Sequence, residues 1–334
     1  MTVGIKDVAK AAGVSPATVS RVLAGRAVDP AMCERVHEAV RITGYRPNLA
    51  ARRLRSQHSN TIGLIVADIR NPFFTAVSRM VEDIAYARGL RVILCNSDED
   101  PAREAMYLQL MQEERVTGVI LAPARQASRK AKTSQLAFPT VCIDRAASSV
   151  AQDSVLLDNQ EMAATLVARL HTEGHRCISG LFGASYTGIE RRAGFERAAS
   201  SLGIEAKALL VAHGPGEADR AVTKALTSPD GPPSALIASN GSMLLAVLQS
   251  LHDRGLSVPR DIAVAGFDNE PWMALAGGGL TVIEQPVEEI GRTAMTMLFD
   301  RLEHPDSAAR KVVLSGRLIA RESSMMPVEM EKLS

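Results

Sequence analysis

Ile5-Lys6-Asp7-Val8-Ala9-Lys10-Ala11-Ala12-Gly13-Val14-Ser15-Pro16-Ala17-Thr18-Val19-Ser20-Arg21-Val22-Leu23 reads as two short helices joined at a glycine. Gly13 can take the left-handed conformation that ends the first helix. Ser15 then caps the second, with Pro16 at its first position, where a missing N–H costs nothing. Val8 and Ala12, four apart, and Val19, Val22 and Leu23 supply the apolar faces that pack the pair together. Ala17, Thr18, Ser20 and Arg21 are left facing outward. A third helix follows, capped by Asp29, opened by Pro30, apolar at Val36 and Val40, and ended at Gly44. Two helices in this arrangement form a helix-turn-helix, whose second helix enters the major groove of double-stranded DNA.

Charge is distributed to match. Residues 1–59 hold ten basic residues (Lys6, Lys10, Arg21, Arg26, Arg35, Arg41, Arg46, Arg52, Arg53, Arg55) against four acids (Asp7, Asp29, Glu34, Glu38), a surplus of six. The whole 334-residue chain carries only +1, so the remainder carries −5. A basic head on a mildly acidic body suits phosphate contact at one end. The four cysteines (Cys33, Cys95, Cys142, Cys177) show no C-x-x-C spacing, which points to reduced thiols rather than a disulfide or zinc scaffold. With no apolar signal segment and no run of transmembrane length, the expected location is the cytoplasm, away from membranes.

Residues 47–59 read as a hinge. Pro47, an Asn48 cap and about two turns of potential helix make a segment too short to be stable alone. Three arginines (Arg52, Arg53, Arg55) crowd it, so folding on DNA is expected. From Thr61 the pattern changes to apolar runs alternating with amphipathic stretches. Strands are expected at Ile62–Val66, Val92–Cys95, Val119–Leu121, Val141–Ile143, Val155–Leu157, Cys177–Phe182, Ala208–Val211, Ala235–Ala238 and Ile262–Phe267. Near-continuous apolar strands alternating with helices mean parallel sheets covered on both faces. There are too many units for one small sheet, so two doubly wound halves are expected, breaking near Asp158.

Ligands of such sheets sit beyond the carboxyl ends of the strands. The residues there form a consistent set: Asp68, Phe73 and Phe74; Asn96 to Asp98; Asp144 and Arg145; Ser185, Thr187 and Arg191; His213; Asn240; and Asp268 to Trp272. Aromatics to stack on a sugar ring, with Asp, Asn and Arg to hold hydroxyls, suit a polar small-ligand cleft. No G-x-G-x-x-G after a strand, no P-loop and no Ser/His/Asp set accompanies them, which argues against an enzyme and against a bound cofactor. His171 and His175 are four apart, but Gly174 between them breaks the helix, so they read as structural rather than metal ligands.

The run 5–23 followed by Gly44-Tyr45-Arg46-Pro47-Asn48 resembles the LacI/GalR family of bacterial transcription regulators. Further landmarks carry the resemblance to about Ser323: Asn71-Pro72-Phe73-Phe74, Asn96-Ser97-Asp98-Glu99-Asp100, Ile143-Asp144-Arg145, Arg191-Arg192-Ala193-Gly194-Phe195, Gly266-Phe267-Asp268 and Leu280 to Pro286. It implies a helix-turn-helix domain (1–46), a hinge helix (47–59) and a periplasmic-binding-protein-like core. The core's N-subdomain would comprise 60–158 and 285–314, its C-subdomain 159–284 and 315–330. The DNA-contacting set implied is Lys6, Ser15, Pro16, Ala17, Thr18, Ser20, Arg21, Arg26, Asn48, Ala51, Leu54 and Arg55, with Leu54 wedging into the minor groove. Phe73, Phe74, Arg191, Asn240 and Asp268 match effector-contacting positions, Arg145 and His213 less uniform ones; Thr187 and Trp272 join them from their places after strands.

Departures from the family pattern refine the expectation. Gly4 replaces a usual Thr cap, and Pro16 and Ala17 stand where bases are usually read. Ala24 replaces a frequent Asn. Gly241 stands where many members carry Asp, and Gly277-Gly278-Gly279 replaces a Pro-containing stretch. Losing a carboxylate from a pocket that keeps Arg145 and Arg191 makes it friendlier to an anion. The stretch Gly266 to Trp272 is also similar to the gluconate-sensing branch. The expectation is a dimeric repressor of sugar-acid catabolism genes, released from a palindromic operator by a small sugar-type effector. The tail from Met325 to Met330 lacks leucine heptads, which favours a dimer over a tetramer. A neutral-sugar sensor, a corepressor-dependent regulator and a sugar-binding protein without a DNA role stay open.

Overall fold

A computed structural model describes residues 3–23, 27–45, 59–124, 136–146, 152–212 and 214–326. The chain divides into two units, Met1–Ser59 and Asn60–Ser334.

The first unit holds α1 (Ile5–Ala12), α2 (Pro16–Leu23) and α3 (Pro30–Thr43). Each boundary has a local cause. Gly4 has no side chain to cap α1, and the Asp7 carboxylate reaches back instead, accepting the Gly4 N–H at 2.8 Å. Gly13 ends the helix at φ 64°. Ser15 Oγ accepts the Thr18 N–H at 3.1 Å, and the Asp29 carboxylate accepts that of Met32 at 3.2 Å. Val8, Ala9, Ala12, Val19, Val22, Val36 and Ala39 are buried together between the three helices. Because this core is small, the caps matter. Ser15→Ala is expected to lower the unit's stability by about 1 kcal/mol, read as an earlier first transition in a thermal melt; an unchanged transition would remove Ser15 from the account.

The second unit contains β1 (Thr61–Val66), α4 (Pro72–Ala87), β2 (Arg91–Asn96), α5 (Pro101–Glu113), β3 (Gly118–Leu121), β4 (Thr140–Ile143), β5 (Asp153–Leu157), α6 (Asn159–Thr172), β6 (Cys177–Gly183), α7 (Tyr186–Leu202), β7 (Glu205–Val211), α8 (Glu217–Leu226), β8 (Ala235–Ala238), α9 (Gly241–Asp253), β9 (Ala263–Phe267), β10 (Thr281–Glu284), α10 (Val287–Glu303), β11 (Lys311–Leu314) and β12 (Arg317–Ile319). They build two six-stranded sheets, ordered β11-β5-β4-β3-β1-β2 and β12-β10-β9-β8-β6-β7. The first is parallel throughout. The second is parallel except where β12 runs against β10. Inner strands such as β1 and β8 are buried at every residue, as sheets covered on both faces require. The outer strands β2 and β7 are largely not.

The chain passes between the sheets three times: at Asp158, at Gln285-Pro286 and at Ser315-Gly316. After the second passage α10 packs on α4 and against β3, β4 and β5. Asp153 on β5, whose side chain is wholly buried, ties α10 down by accepting from Arg301 Nε and Nη2 at 3.1 and 3.0 Å. Strands β10, β11 and β12 are absent from the expected set. β11 and β12 are partly exposed edge strands with charged residues in them, and β10 has only two apolar residues between Thr281 and Glu284, so none presents the apolar run that marks the equally short β3, β4 and β8.

His175 is buried and structural. Its Nδ1 meets Ser234 Oγ at 2.9 Å and its Nε2 meets the Ser324 carbonyl at 3.1 Å, pinning the terminal turn Glu322–Ser324 to the second sheet. The Gly277-Gly278-Gly279 run has a matching cause. All three have positive φ, and a Cβ on Gly278 would stand 2.0 Å from Glu322 Oε2. The terminal turn approaches too closely for a side chain there.

Candidate functional site

On the first unit, Lys6, Ser15, Pro16, Ala17 and Arg21 are exposed, and Thr18 and Ser20 are half-buried. The Ser15 and Thr18 hydroxyls are 2.9 Å apart and share the cap of α2, so both are held at that helix's start. Arg26, Asn48, Ala51, Leu54 and Arg55, and with them residues 47–58 of the expected hinge 47–59, lie outside the described residues.

On the second unit, the carboxyl ends of both sheets frame a cleft of about 580 Å³. It brings together Phe73, Phe74, Arg145, Thr187, Arg191, Asn240 and Asp268 from the expected set. His213 lies outside the described residues. Trp272 is not in the cleft: it is half-buried against the apolar cluster around Leu244, Val264 and Met273. The single turn Pro271–Ala274 carries it there, and a turn that short has no periodicity from which its facing could be read.

Several cleft residues hold the fold as well as lining it. Asn71, Ser185 and Asn240 cap α4, α7 and α9, accepting the N–H groups of Phe73 (3.1 Å), Gly188 (3.2 Å) and Met243 (2.8 Å). Three helix N-termini therefore converge on one cavity, a setting that favours negative charge. Phe73 and Phe74 meet edge to face, their centroids 5.1 Å apart. Asp98, Glu99, Asp144 and Asp268 all take positive φ, between 54° and 75°, just past the ends of β2, β4 and β9. Backbone strain of this kind costs about 1–3 kcal/mol per residue and clusters at ligand sites.

The two cleft arginines of the sequence reading differ. Arg145 is 4 % exposed and already satisfied. Its Nη1 and Nη2 donate to Glu99 at 2.8 and 3.0 Å, its Nε to Asp144 at 3.0 Å, and its Nη1 also to the Pro123 carbonyl. Of the two arginines on which the expectation of an anion-friendly pocket rests, Arg145 is therefore already paired with acids of the chain itself. Glu99 lies beyond a strand end in the sequence, but nothing local shows that it reaches Arg145, 46 residues on. Burial pushes the Asp144 carboxyl up, against the pull of Arg145 and Arg191.

Arg191, 2 % exposed, is different. Its Nε donates to Asn159 Oδ1 at 2.7 Å and its Nη1 to the Ser239 carbonyl at 2.5 Å. Its guanidinium carbon lies 3.9 Å over the Phe267 ring. Among the described residues no carboxylate forms an ion pair with it. Burial depresses its pKa, while Asp268 and Asp144 raise it through space.

Asp268 is also engaged. Its Oδ2 accepts the Gly241 N–H at 2.7 Å and its Oδ1 the Gln285 Nε2–H at 2.6 Å. A Cβ at position 241 would begin 3.1 Å from that Oδ2, a tight contact to which the Asp268 side chain would have to give way. Gln285, Asn159 and Ser239 are functional neighbours that the sequence reading passed over. Gln285 follows β10 within the landmark run Leu280 to Pro286, a run that is not among the expected strands.

Residues 4–48 match the bacterial regulatory proteins of the lacI family, and residues 167–324 match the periplasmic binding protein-like domain. The chain is 32 % identical over 332 residues to the HTH-type transcriptional regulator KdgR of Bacillus subtilis, covering 96 % of this chain and 97 % of that one. It is 33 % identical over 329 residues to the HTH-type transcriptional regulator PtxS of Pseudomonas plecoglossicida, covering 96 % of each. The crystal structure of the lac repressor dimer bound to operator and the anti-inducer ONPF shares the fold, with a TM-score of 0.86 at 22 % identity over 97 % of this chain and 100 % of that one. Matches of this length to regulators, around a three-helix head and a two-sheet body with a cleft, make the chain a member of the lacI family: a helix-turn-helix, DNA-binding transcriptional regulator and not an enzyme.

Proposed function

We propose that this regulator is a cytoplasmic repressor of sugar-acid catabolism genes, released from a palindromic operator when a small sugar acid occupies the cleft. The observation that carries the reading is Arg191, a buried guanidinium with no carboxylate partner among the described residues. A buried charge is costly until paired, and a ligand carboxylate reaching Nη2 completes it with a charge-assisted bond. Phe73 and Phe74 supply a face for the sugar carbons, and Thr187 and Asn240 supply polar contacts. On DNA, α2 enters the major groove through Pro16, Ala17, Thr18, Ser20 and Arg21. Lys6, Ser15 and Arg26 support it along the backbone, and Asn48, Ala51, Leu54 and Arg55 of two hinges meet in the minor groove. A dimer supplies the second head. Exposed Leu94 on the edge strand β2 and exposed Met106 and Leu110 on α5 are apolar surface for a second copy to cover. Effector in the cleft changes the angle between the two sheets and so the spacing of the hinges, a coupling of about 1–3 kcal/mol.

A neutral sugar is the second reading, and the acids favour it. Asp68, Glu99, Asp144 and Asp268 outnumber Arg70, Arg145 and Arg191 in the lining by one.

Fluorescence anisotropy on the protein's own promoter DNA, titrated at fixed salt with sugars and sugar acids, separates the two. Release by a sugar acid alone supports the first reading, and release by a neutral sugar alone supports the second. Tightening in place of release makes the ligand a corepressor. In the same assay Leu54→Ala is expected to weaken operator binding about tenfold by losing the base-step wedge, with ligand affinity unchanged. Undiminished operator affinity would remove Leu54 from the interface.

A further inference from the structure

Beside the cleft lies a second cavity of about 510 Å³. The two share three walls, Phe73, Asp268 and Gln285. Ala76 on α4 and Glu270-Pro271 after β9 close the second cavity, with the β10–α10 passage opposite. Each volume falls within the range of about 300–1,000 Å³ that houses a whole small ligand, so the pair is large for one sugar unit.

Gln285 stands where the cavities meet. It is 7 % exposed, and its Nε2 is committed to Asp268 Oδ1. Its Oε1 accepts no hydrogen bond from a described residue. The Glu270 carboxylate, half-buried, likewise meets no donor among the described residues. Glu284 differs, being satisfied by Asn269 and Arg317. Both acceptors reach solvent, so a ligand that brings O–H groups can take the place of water on them. Asp268 and Glu270 together repel a second anionic group from the same space. Phe73, Ala76 and Pro271 add apolar surface for the carbon face of a ring.

We propose that the second cavity is a subsite of the effector cleft that takes a hydroxylated sugar ring, so that the effector is a two-unit sugar acid. Its carboxylate lies at Arg191 and its second ring donates to Gln285 Oε1 and Glu270. This rests on the effector reading of the cleft given above.

The test uses the full-length chain with gluconate and with cellobionate, which is gluconate carrying one further glucosyl ring. Calorimetry is expected to give cellobionate about tenfold tighter binding than gluconate, the effect of one or two added hydrogen bonds. Ala76→Phe, at an exposed helical position that tolerates substitution, fills the second cavity. It is expected to weaken cellobionate about tenfold, undoing that gain, and to leave gluconate as it was. Equal affinities with no discrimination by Ala76→Phe, or two gluconate molecules bound per chain, overturn the subsite and leave the cleft reading standing. If neither acid binds, or if binding ignores Arg191→Ala, the cleft reading fails and the subsite with it.

Discussion

Arg191→Ala is expected to abolish the ligand response, weakening effector affinity about 100-fold or more while the protein stays folded. The charge-assisted hydrogen bond that a ligand carboxylate takes from Nη2 contributes about 1.5–3 kcal/mol, and without Arg191 the carboxylate also loses its counter-charge in the cleft. Stability behaves differently because two effects oppose. Removing the side chain leaves Asn159 Oδ1 and the Ser239 carbonyl without their donors, at a cost of about 1–3 kcal/mol each. It also removes a buried positive charge that no described carboxylate pairs, which offsets part of that cost. The melting temperature is therefore expected to fall by only a few degrees. Arg191→Lys does not rescue: an ammonium can neither fork nor lie flat 3.9 Å over the Phe267 ring. Calorimetry and a thermal melt on the same samples check both halves. An intact response in Arg191→Ala would move the anion site elsewhere.

Glu99→Gln is expected to do the reverse: lower stability and raise affinity for an anion. Arg145 is buried and holds two carboxylates, Glu99 through a two-nitrogen contact and Asp144 through Nε. Breaking one partner from a buried pair costs about 3–5 kcal/mol. The retained Asp144 and the amide oxygen of Gln place this change near about 2–3 kcal/mol on that scale. The cleft lining, one acid in excess, then becomes balanced, and the Arg145 charge is no longer fully cancelled. A sugar acid gains from this and a neutral sugar does not. A melt and parallel titrations with gluconate and glucose report the two effects. An unchanged melting temperature would mean that the clamp contributes nothing to folding, and unchanged selectivity would mean that the effector never senses Arg145.

These two variants show where sequence reading stopped. Arg145 and Arg191 look alike along the chain, each a basic residue beyond a strand. They differ through partners 32 to 48 residues away in sequence: Glu99 for one, Asn159 and Ser239 for the other. Asp268 presents the same problem. From its position it reads as a grip for a ring hydroxyl, and Asp268→Asn as a clean probe of that grip. With Oδ2 on the Gly241 N–H and Oδ1 on Gln285, an amide there would set a donor against a donor. That variant therefore tests folding at least as much as binding.

The sequence by itself determined what depends on near neighbours. Caps at Ser15 and Asp29 lie within three residues of the groups they satisfy, and apolar runs of three to six residues alternating with helices announce a covered parallel sheet without knowledge of its partners. Because such sheets bind at their carboxyl ends, most cleft residues could be read from the ends of runs. The tertiary structure alone decided which charges are already cancelled, which way Trp272 turns, and that β10, β11 and β12 exist. Each of these depends on contacts between distant segments, and spacing along a chain carries no record of the energy of pairing, burial or close approach across such distances.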